Sequence, residues 1–176
     1  MVTVREASLE VKIMATRKIV GVVLVPDDNI GFELTLNPRE TDPIKMVRAD
    51  GYGSPEKWKF LGEPILTPLT KMFVHLNLGY CRNLADAEAK AVAKGYELAD
   101  GRFRVAYQKK FHKPTRSIAA VFGGSGWQNP VGNRHCVPYL GVSGERWYSC
   151  LYWSVNGFPE DCRWVAFRPP AGKAGK

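Results

Sequence analysis

From Leu9 onward, apolar residues recur at every second position. Leu9, Val11 and Ile13 share one face, an apolar run extends from Ile19 to Pro26, and Ile30, Phe32, Leu34 and Leu36 stand opposite Glu33 and Thr35. A period of two sends successive side chains to opposite faces of a strand, so the first forty residues predict two or three antiparallel strands. Pro26, Asp27, Asp28 and Asn29 supply a turn, because Asp and Asn bond their own backbone and tolerate left-handed geometry. Between Asn37 and Pro64 the pairs Asn37-Pro38, Asp42-Pro43 and Asp50-Gly51 break the pattern and leave one short strand, Trp58 to Leu61. This stretch reads as a crossing between two parts of the molecule.

Met72, Val74, Leu76 and Leu78 alternate with Phe73, His75 and Asn77, which favours a strand over a helix started at Thr67-Pro68. Asn83 then heads an alanine-rich helix to Lys94, with Asp86 and Glu88 in the first turn, where the helix dipole favours anions, and Gly95 just past the end. A second helix, back to back with the first, is expected from Gly101 to Phe111, capped by Asp100 and stopped by Pro114. Phe103, Ala106, Tyr107 and Lys110 or Phe111 mark its inward side. Strands return at Ser117 to Phe122, Cys136 to Val142, Trp147 to Val155 and Cys162 to Phe167, each bounded by Gly, Asn or Pro. The fold class is therefore α+β: a main domain over residues 65–168, an N-terminal β extension over 1–64 packed on it, and a flexible tail over 169–176.

Composition adds two constraints. The 176 residues carry a formal net charge of +8, yet lysine is absent from Pro114 through Gly172, the segment that holds four of the five tryptophans and three of the four cysteines. The charge reads first as a solubilising surface and second as a nucleic-acid footprint, which requires clustering. No apolar run approaches the roughly 20 residues of a membrane span, and Arg5, Glu6, Glu10 and Lys12 interrupt the N-terminal stretch where a signal peptide would be apolar. The expectation is a soluble protein, cytoplasmic as synthesised, with no membrane partner. Cys81, Cys136, Cys150 and Cys162 form no C-x-x-C pair and have no histidine at ligand spacing, so reduced thiols without metal are expected.

Little of the chain suggests catalysis. His75, His112 and His135 have no local Ser, Cys or acid at triad spacing, and Gly123-Gly124-Ser125-Gly126 reads as a tight turn or close packing rather than a phosphate loop. Arg102, Arg104, Lys109, Lys110, Lys113 and Arg116 spread around the second helix and its exit, which reads as a solvated face. The stretch from Trp147 to Trp153 differs, because alternation sends Tyr148, Cys150 and Tyr152 to one side and Trp147, Leu151 and Trp153 to the other. Two aromatic faces result. A face left open would combine Tyr with Ser149, Ser154, Asn156 and Gly157, the composition of adaptable binding surfaces, whereas a core on both faces is the competing reading.

The order of strand, two helices and aromatic strands resembles the C-type lectin fold, in the version shared with formylglycine-generating enzymes. Ala85-Asp86-Ala87 through Gly95-Tyr96-Glu97-Leu98 and on to Tyr107 is similar to that group's two helices and their link. Val121 to Trp127 is similar to its glycine-and-tryptophan strand, and Trp164 to Arg168 to its terminal strand. Within that fold, the lysine-free C-terminal segment resembles the variable proteins of diversity-generating retroelements, in which adenine-directed mutagenesis randomises chosen codons and so rarely yields Lys, Met, Gln or Glu. The resemblance implies a non-catalytic protein without cofactor or metal, whose hypervariable, solvent-exposed face binds a protein or other macromolecular ligand. On residue type and position, that face is expected to comprise Asn133, Arg134, His135, Tyr139, Tyr148, Ser149, Cys150, Tyr152, Asn156 and Asp161. Gln128, Glu145, Glu160 and the tryptophans Trp127, Trp153 and Trp164 are expected to be framework. An enzymatic role fits less well, because Cys136 and Cys150 lack the partner that the cysteine-dependent enzymes use. Calcium-dependent sugar binding also fits poorly, since Gln128-Asn129-Pro130 only scrambles the expected ligand motif. The second functional reading is a basic, nucleic-acid-associated or phage accessory protein.

Overall fold

The computed structural model describes residues 22–131 and 135–170. Their architecture is α+β, dominated by one nine-stranded sheet with three α-helices. The strands are β1 (Phe32–Leu36), β2 (Lys59–Phe60), β3 (Leu69–Leu76), β4 (Glu97–Leu98), β5 (Ala119–Val121), β6 (Trp127–Gln128), β7 (His135–Ser143), β8 (Arg146–Trp153) and β9 (Cys162–Phe167). They run in the order β1-β3-β9-β5-β7-β6-β2, with β4 joining β9 and β8 joining β7. The β5–β9 pair is parallel; the other pairings are antiparallel.

The central strands are buried on both sides, which explains why they read as unbroken apolar text rather than as a half-polar alternation. On one face Ala120, Phe122, Leu140 and Val165 meet Phe32, Leu34, Leu36 and Phe73, and helix α3 (Phe103–Lys110) covers them with Phe103, Ala106 and Tyr107. On the other, Ala119, Val121, Val137, Trp164 and Ala166 are covered by helix α2 (Leu84–Ala93) through Leu84, Ala87 and Ala91. The two helices are therefore separated by the sheet rather than packed back to back. Consecutive strand residues point to opposite faces, so each helix claims alternate residues of the same strands.

Local chemistry sets these elements much as their sequences require. The Asn83 side chain accepts the Asp86 amide as the α2 N-cap, and Gly95 takes φ +79° just beyond the C-terminus. The start of α3 is less conventional: Asp100 accepts the Arg102 amide and pairs with its guanidinium at 2.8 Å, and regular helix begins at Phe103. Phe111, not Lys110, is the buried residue at its end.

Three expectations need correction. The segment 37–64 contains a helix, α1 (Pro43–Ala49), whose N-cap Asp42 accepts the amides of Ile44 and Lys45 and which buries Met46 and Val47. Its signal was hidden because a seven-residue helix shows barely two turns of periodicity and is flanked by turn residues. Of the expected early strands, residues up to 21 lie outside the described residues, and Val23 to Val25 are not in a strand. Finally, the basic set around α3 is solvated only in part: Lys109 and Lys113 are exposed, but Arg102 and Arg104 are almost fully buried. Arg102 lies over the Phe60 ring, and Arg104 pairs with Asp50, whose side chain is 5% exposed, while also reaching Ser149. Arg116 bonds Pro26 and Asp28, and Asp28 also holds Arg163 at 2.8 Å.

The turn at Pro26 to Asn29 is tied to the core through His75. The His75 ring lies between the Pro26 carbonyl at 3.1 Å and the Tyr107 hydroxyl at 3.0 Å. The carbonyl can only accept, so Nδ1 donates to it, and in the neutral ring Nε2 accepts the hydroxyl proton. Burial pushes the His75 pKa down from 6.5 to about 4. The unfolded chain then takes up this proton before the folded one. The contribution to stability is complete above pH 6.5 and declines as pH falls toward 4, by about 3 kcal/mol in total. Urea denaturation between pH 7 and 4 is expected to show this acid limb, and His75→Gln to flatten its upper half. Separately, Asp50→Ala strands the Arg104 charge and is expected to cost about 3–5 kcal/mol. Loss of the Asp42 cap is expected to cost about 1 kcal/mol in the same assay.

Candidate functional site

α2 covers one face of the sheet over β3, β9 and β5 and reaches the His135 end of β7, and Phe158 of the following loop packs on Tyr152; beyond these, among the described residues, the face around Tyr139, Tyr148 and Cys150 is only partly buried. In the β7–β8 pair, Tyr139 stands opposite Cys150, Gly141 opposite Tyr148 and Val137 opposite Tyr152. These six residues share the face. Tyr139 and Tyr152 stack with ring centroids 5.5 Å apart at 30°, and Tyr139 and Tyr148 lie 6.4 Å apart. The result is an aromatic row in which Tyr139, Tyr152 and Cys150 are half-buried and Tyr148 is 46% exposed.

Each ring has a physical reason for its position. The Tyr148 ring lies across Gly141, where any Cβ would collide with it, so glycine is required for the ring to lie flat on the neighbouring strand. Tyr152 packs against buried Phe158, centroids 5.0 Å apart, and donates its hydroxyl to the Gly157 carbonyl at 3.1 Å. Phe158 in turn packs on Trp164, which anchors the row to the core. The Tyr139 hydroxyl hydrogen-bonds the Cys162 thiol, and burial together with the neighbouring Asp161 charge pushes its pKa above the usual tyrosine value. Tyr139 therefore stays neutral at physiological pH, and the row offers hydrogen-bonding, polarisable ring surfaces.

The expected ligand residues divide when placed in the fold. Tyr139, Tyr148, Cys150 and Tyr152 come together, and Asp161 is exposed beside Tyr139. Ser149 does not join them: it faces the opposite side, where it meets Arg104 of the buried Asp50 pair. Its hydroxyl is structural, as the strand alternation required. His135 is half-buried beside Asn83, Glu88 and Ser154 under the start of α2, and burial lowers its pKa. Asn156 is exposed in the turn after β8, its amide bonded to the Trp153 carbonyl. Asn133 and Arg134 lie outside the described residues. Among the framework tryptophans, Trp127 and Trp164 are buried, and Trp153 is half-buried on the opposite side of β8.

Sequence reasoning missed Tyr80. It is 59% exposed, and its hydroxyl overhangs Gly157, next to the carbonyl that Tyr152 bonds. Some seventy residues separate Tyr80 from Tyr152, so no periodicity links them; only the loop from Ser154 to Asp161, folded between them, does. A separate cleft of about 510 Å³ lies at Met72, Tyr96 and Phe167, where Lys71 caps the Phe167 ring and Arg168 the Tyr96 ring. Its cations are already engaged by aromatic faces and are poorly placed to meet a ligand.

Catalytic arrangements are sparse. Cys81, Cys136 and Cys162 are buried and Cys150 half-buried, no disulfide joins them, and burial raises all four thiol pKa values, Cys136 and Cys162 to about 11. A thiol held protonated is a weak nucleophile. Among the described residues, no three His, Cys, Asp or Glu side chains gather as a metal centre, and no helix is long and apolar enough to cross a membrane.

Comparison with family models, curated proteins and solved structures finds no match to the chain. The reading of the site therefore rests on its geometry. Thiol labelling tests its accessibility. Native protein is expected to react at one cysteine, slowly at pH 7 and faster toward pH 9, and denatured protein at four. Cys150→Ser is expected to abolish the native reaction.

Proposed function

We propose that the protein is a non-catalytic ligand-binding module of the C-type lectin type, and that the row Tyr139, Tyr148, Cys150 and Tyr152, with Asp161, is its binding face. One observation carries this reading. The same sheet face is capped by α2 over its central strands and only partly buried where it becomes tyrosine-rich. Rings held by cross-strand packing lose little entropy on binding and offer both area and a hydroxyl, which is why tyrosine dominates adaptable recognition surfaces. Helices on opposite faces of a mostly antiparallel sheet are compatible with the C-type lectin arrangement that the sequence resembles. In this reading the face is the part diversified by a retroelement, with Phe158 and Trp164 beneath it as framework.

The nucleic-acid reading loses ground for a specific reason. Arg102, Arg104, Arg116 and Arg163 are all committed to carboxylates, so these four guanidinium groups are already engaged and not free for the phosphate contacts that reading needs.

Sister copies of the gene are expected to differ mainly at Tyr139, Tyr148, Cys150, Tyr152, Asn156 and Asp161 and to agree at Phe122, Trp127 and Trp164. A reverse transcriptase and a near-identical template repeat are expected beside the locus. Invariance of the tyrosine row across copies would refute diversification. Tyr148→Ala is expected to shift stability by less than about 1 kcal/mol, whereas Trp164→Ala, in the core, is expected to cost about 3–5 kcal/mol. A comparable loss for Tyr148→Ala in thermal denaturation would make the row core rather than surface.

A further inference from the structure

Resting on that reading of the face, we propose its ligand class: the tyrosine row seats the guanidinium or ammonium group of an arginine- or lysine-bearing segment of a partner protein. Three features of the row point the same way. First, its rings present π-faces at spacings that allow one cation to meet two of them: Tyr139 and Tyr152 stack at 5.5 Å, and Tyr148 lies 6.4 Å from Tyr139. A cation over such faces is attracted by the ring quadrupole, more strongly the more it is desolvated.

Second, the fixed charge beside the rings is negative and uncompensated. Asp161 stands close enough to the Tyr139 hydroxyl to oppose its ionisation; it is exposed, and among the described residues its carboxylate is in no ion pair. In a chain with net charge +8, an unpaired carboxylate at an aromatic face is a local inversion of sign.

Third, among the described residues no cation of the chain lies over these rings. No lysine occurs between Pro114 and Gly172. Arg163, two residues beyond Asp161, is turned away and held by Asp28 at 2.8 Å, with its Nη1 on the carbonyls of Glu160 and Cys162. Arg146 lies on the same side of β8, two residues and so about 7 Å along the strand from Tyr148, at the end of the row away from the Tyr139–Tyr152 stack. The Glu160 and Cys162 carbonyls already accept Arg163, so a cation from outside would be met by the Asp161 carboxylate and the rings.

A five-residue peptide, N-acetyl-Gly-Arg-Gly-Arg-Gly-amide, and its citrulline counterpart test this. Citrulline keeps the size and planar shape of arginine but removes the charge, with a carbonyl oxygen in place of one nitrogen. The readout is the ring resonances of Tyr139, Tyr148 and Tyr152 in isotope-labelled full-length protein. The arginine peptide is expected to produce saturable shifts of these rings, with affinity at least tenfold above that of the citrulline peptide. Asp161→Asn is expected to lower that affinity several-fold without moving the melting temperature, and added salt to lower it further. Equal binding of both peptides, absence of saturable shifts, or an unchanged affinity in Asp161→Asn would overturn the assignment. Shifts of the same rings by a glutamate peptide or a DNA oligonucleotide, but not by the arginine peptide, would overturn the cation while leaving the face a binding surface. Failure of the surface reading has a different signature: an unreactive Cys150 together with a strongly destabilised Tyr148→Ala.

Discussion

The parallel contact between β5 and β9 sets the plan of the molecule. These strands sit at the middle of the sheet with neighbours on both edges, and almost all of their residues are buried. Since strand residues alternate between faces, Trp164 and Ala166 are committed to one core while Val165 is committed to the other, and Val121 and Ala120 divide likewise. One short run of apolar sequence thus supplies two cores, and each core needs its own cover. α3 supplies one cover and α2 the other. The narrow side chains Ala119, Ala120 and Ala166 fit this arrangement, because both helices must approach closely with large rings from Tyr107, Phe122 and Trp164 between them.

The open face follows from that plan and from the length of α2. A helix of ten residues is about 15 Å long and shields only a few strand spacings of about 4.8 Å. β7 and β8 extend the sheet past its reach on the α2 side, whereas on the other side Trp147 and Leu151 still find Tyr107, Trp127 and the α1 residues Met46 and Val47. The hairpin is therefore asymmetric. One face is closed into the core, and the other carries the partly exposed tyrosine row. The tyrosines on it are held by one another, by Gly141 and by Phe158, so a single ring can change without opening the core.

Charge is distributed by the same logic. Arginines that the sequence suggests are solvated instead lock loops to the sheet: Arg104 joins the end of α1 to β8 through Asp50 and Ser149, and Asp28 gathers Arg116 and Arg163. The planar guanidinium can meet a carboxylate with two parallel bonds and is more weakly hydrated than an ammonium, which suits it to these buried positions. Lysines remain at the exposed periphery of α3, where Lys109 meets Glu40 in an exposed pair of little energetic weight.

Much of this was legible in the amino-acid sequence, and for identifiable reasons. The strands β3, β7, β8 and β9 and the helix α2 announced themselves because period-two alternation, an Asn cap, first-turn acids and a closing glycine are local signals, readable within a dozen residues. Alternation alone also separated Tyr148, Cys150 and Tyr152 from Trp147, Leu151 and Trp153. The same alternation assigned Ser149 to the second group, although its residue type suggested a ligand contact. What sequence did not contain was which of the two aromatic faces is covered, because that depends on where α2 and α3 end in space relative to β8. Nor could it show that Tyr80 borders the row, that α1 caps the far side of the hairpin, or that Arg104 is buried against Asp50 fifty-four residues away. Local order is written in short-range periodicity and capping chemistry; exposure and ion pairing are properties of contacts between distant segments, and only the tertiary structure decides them.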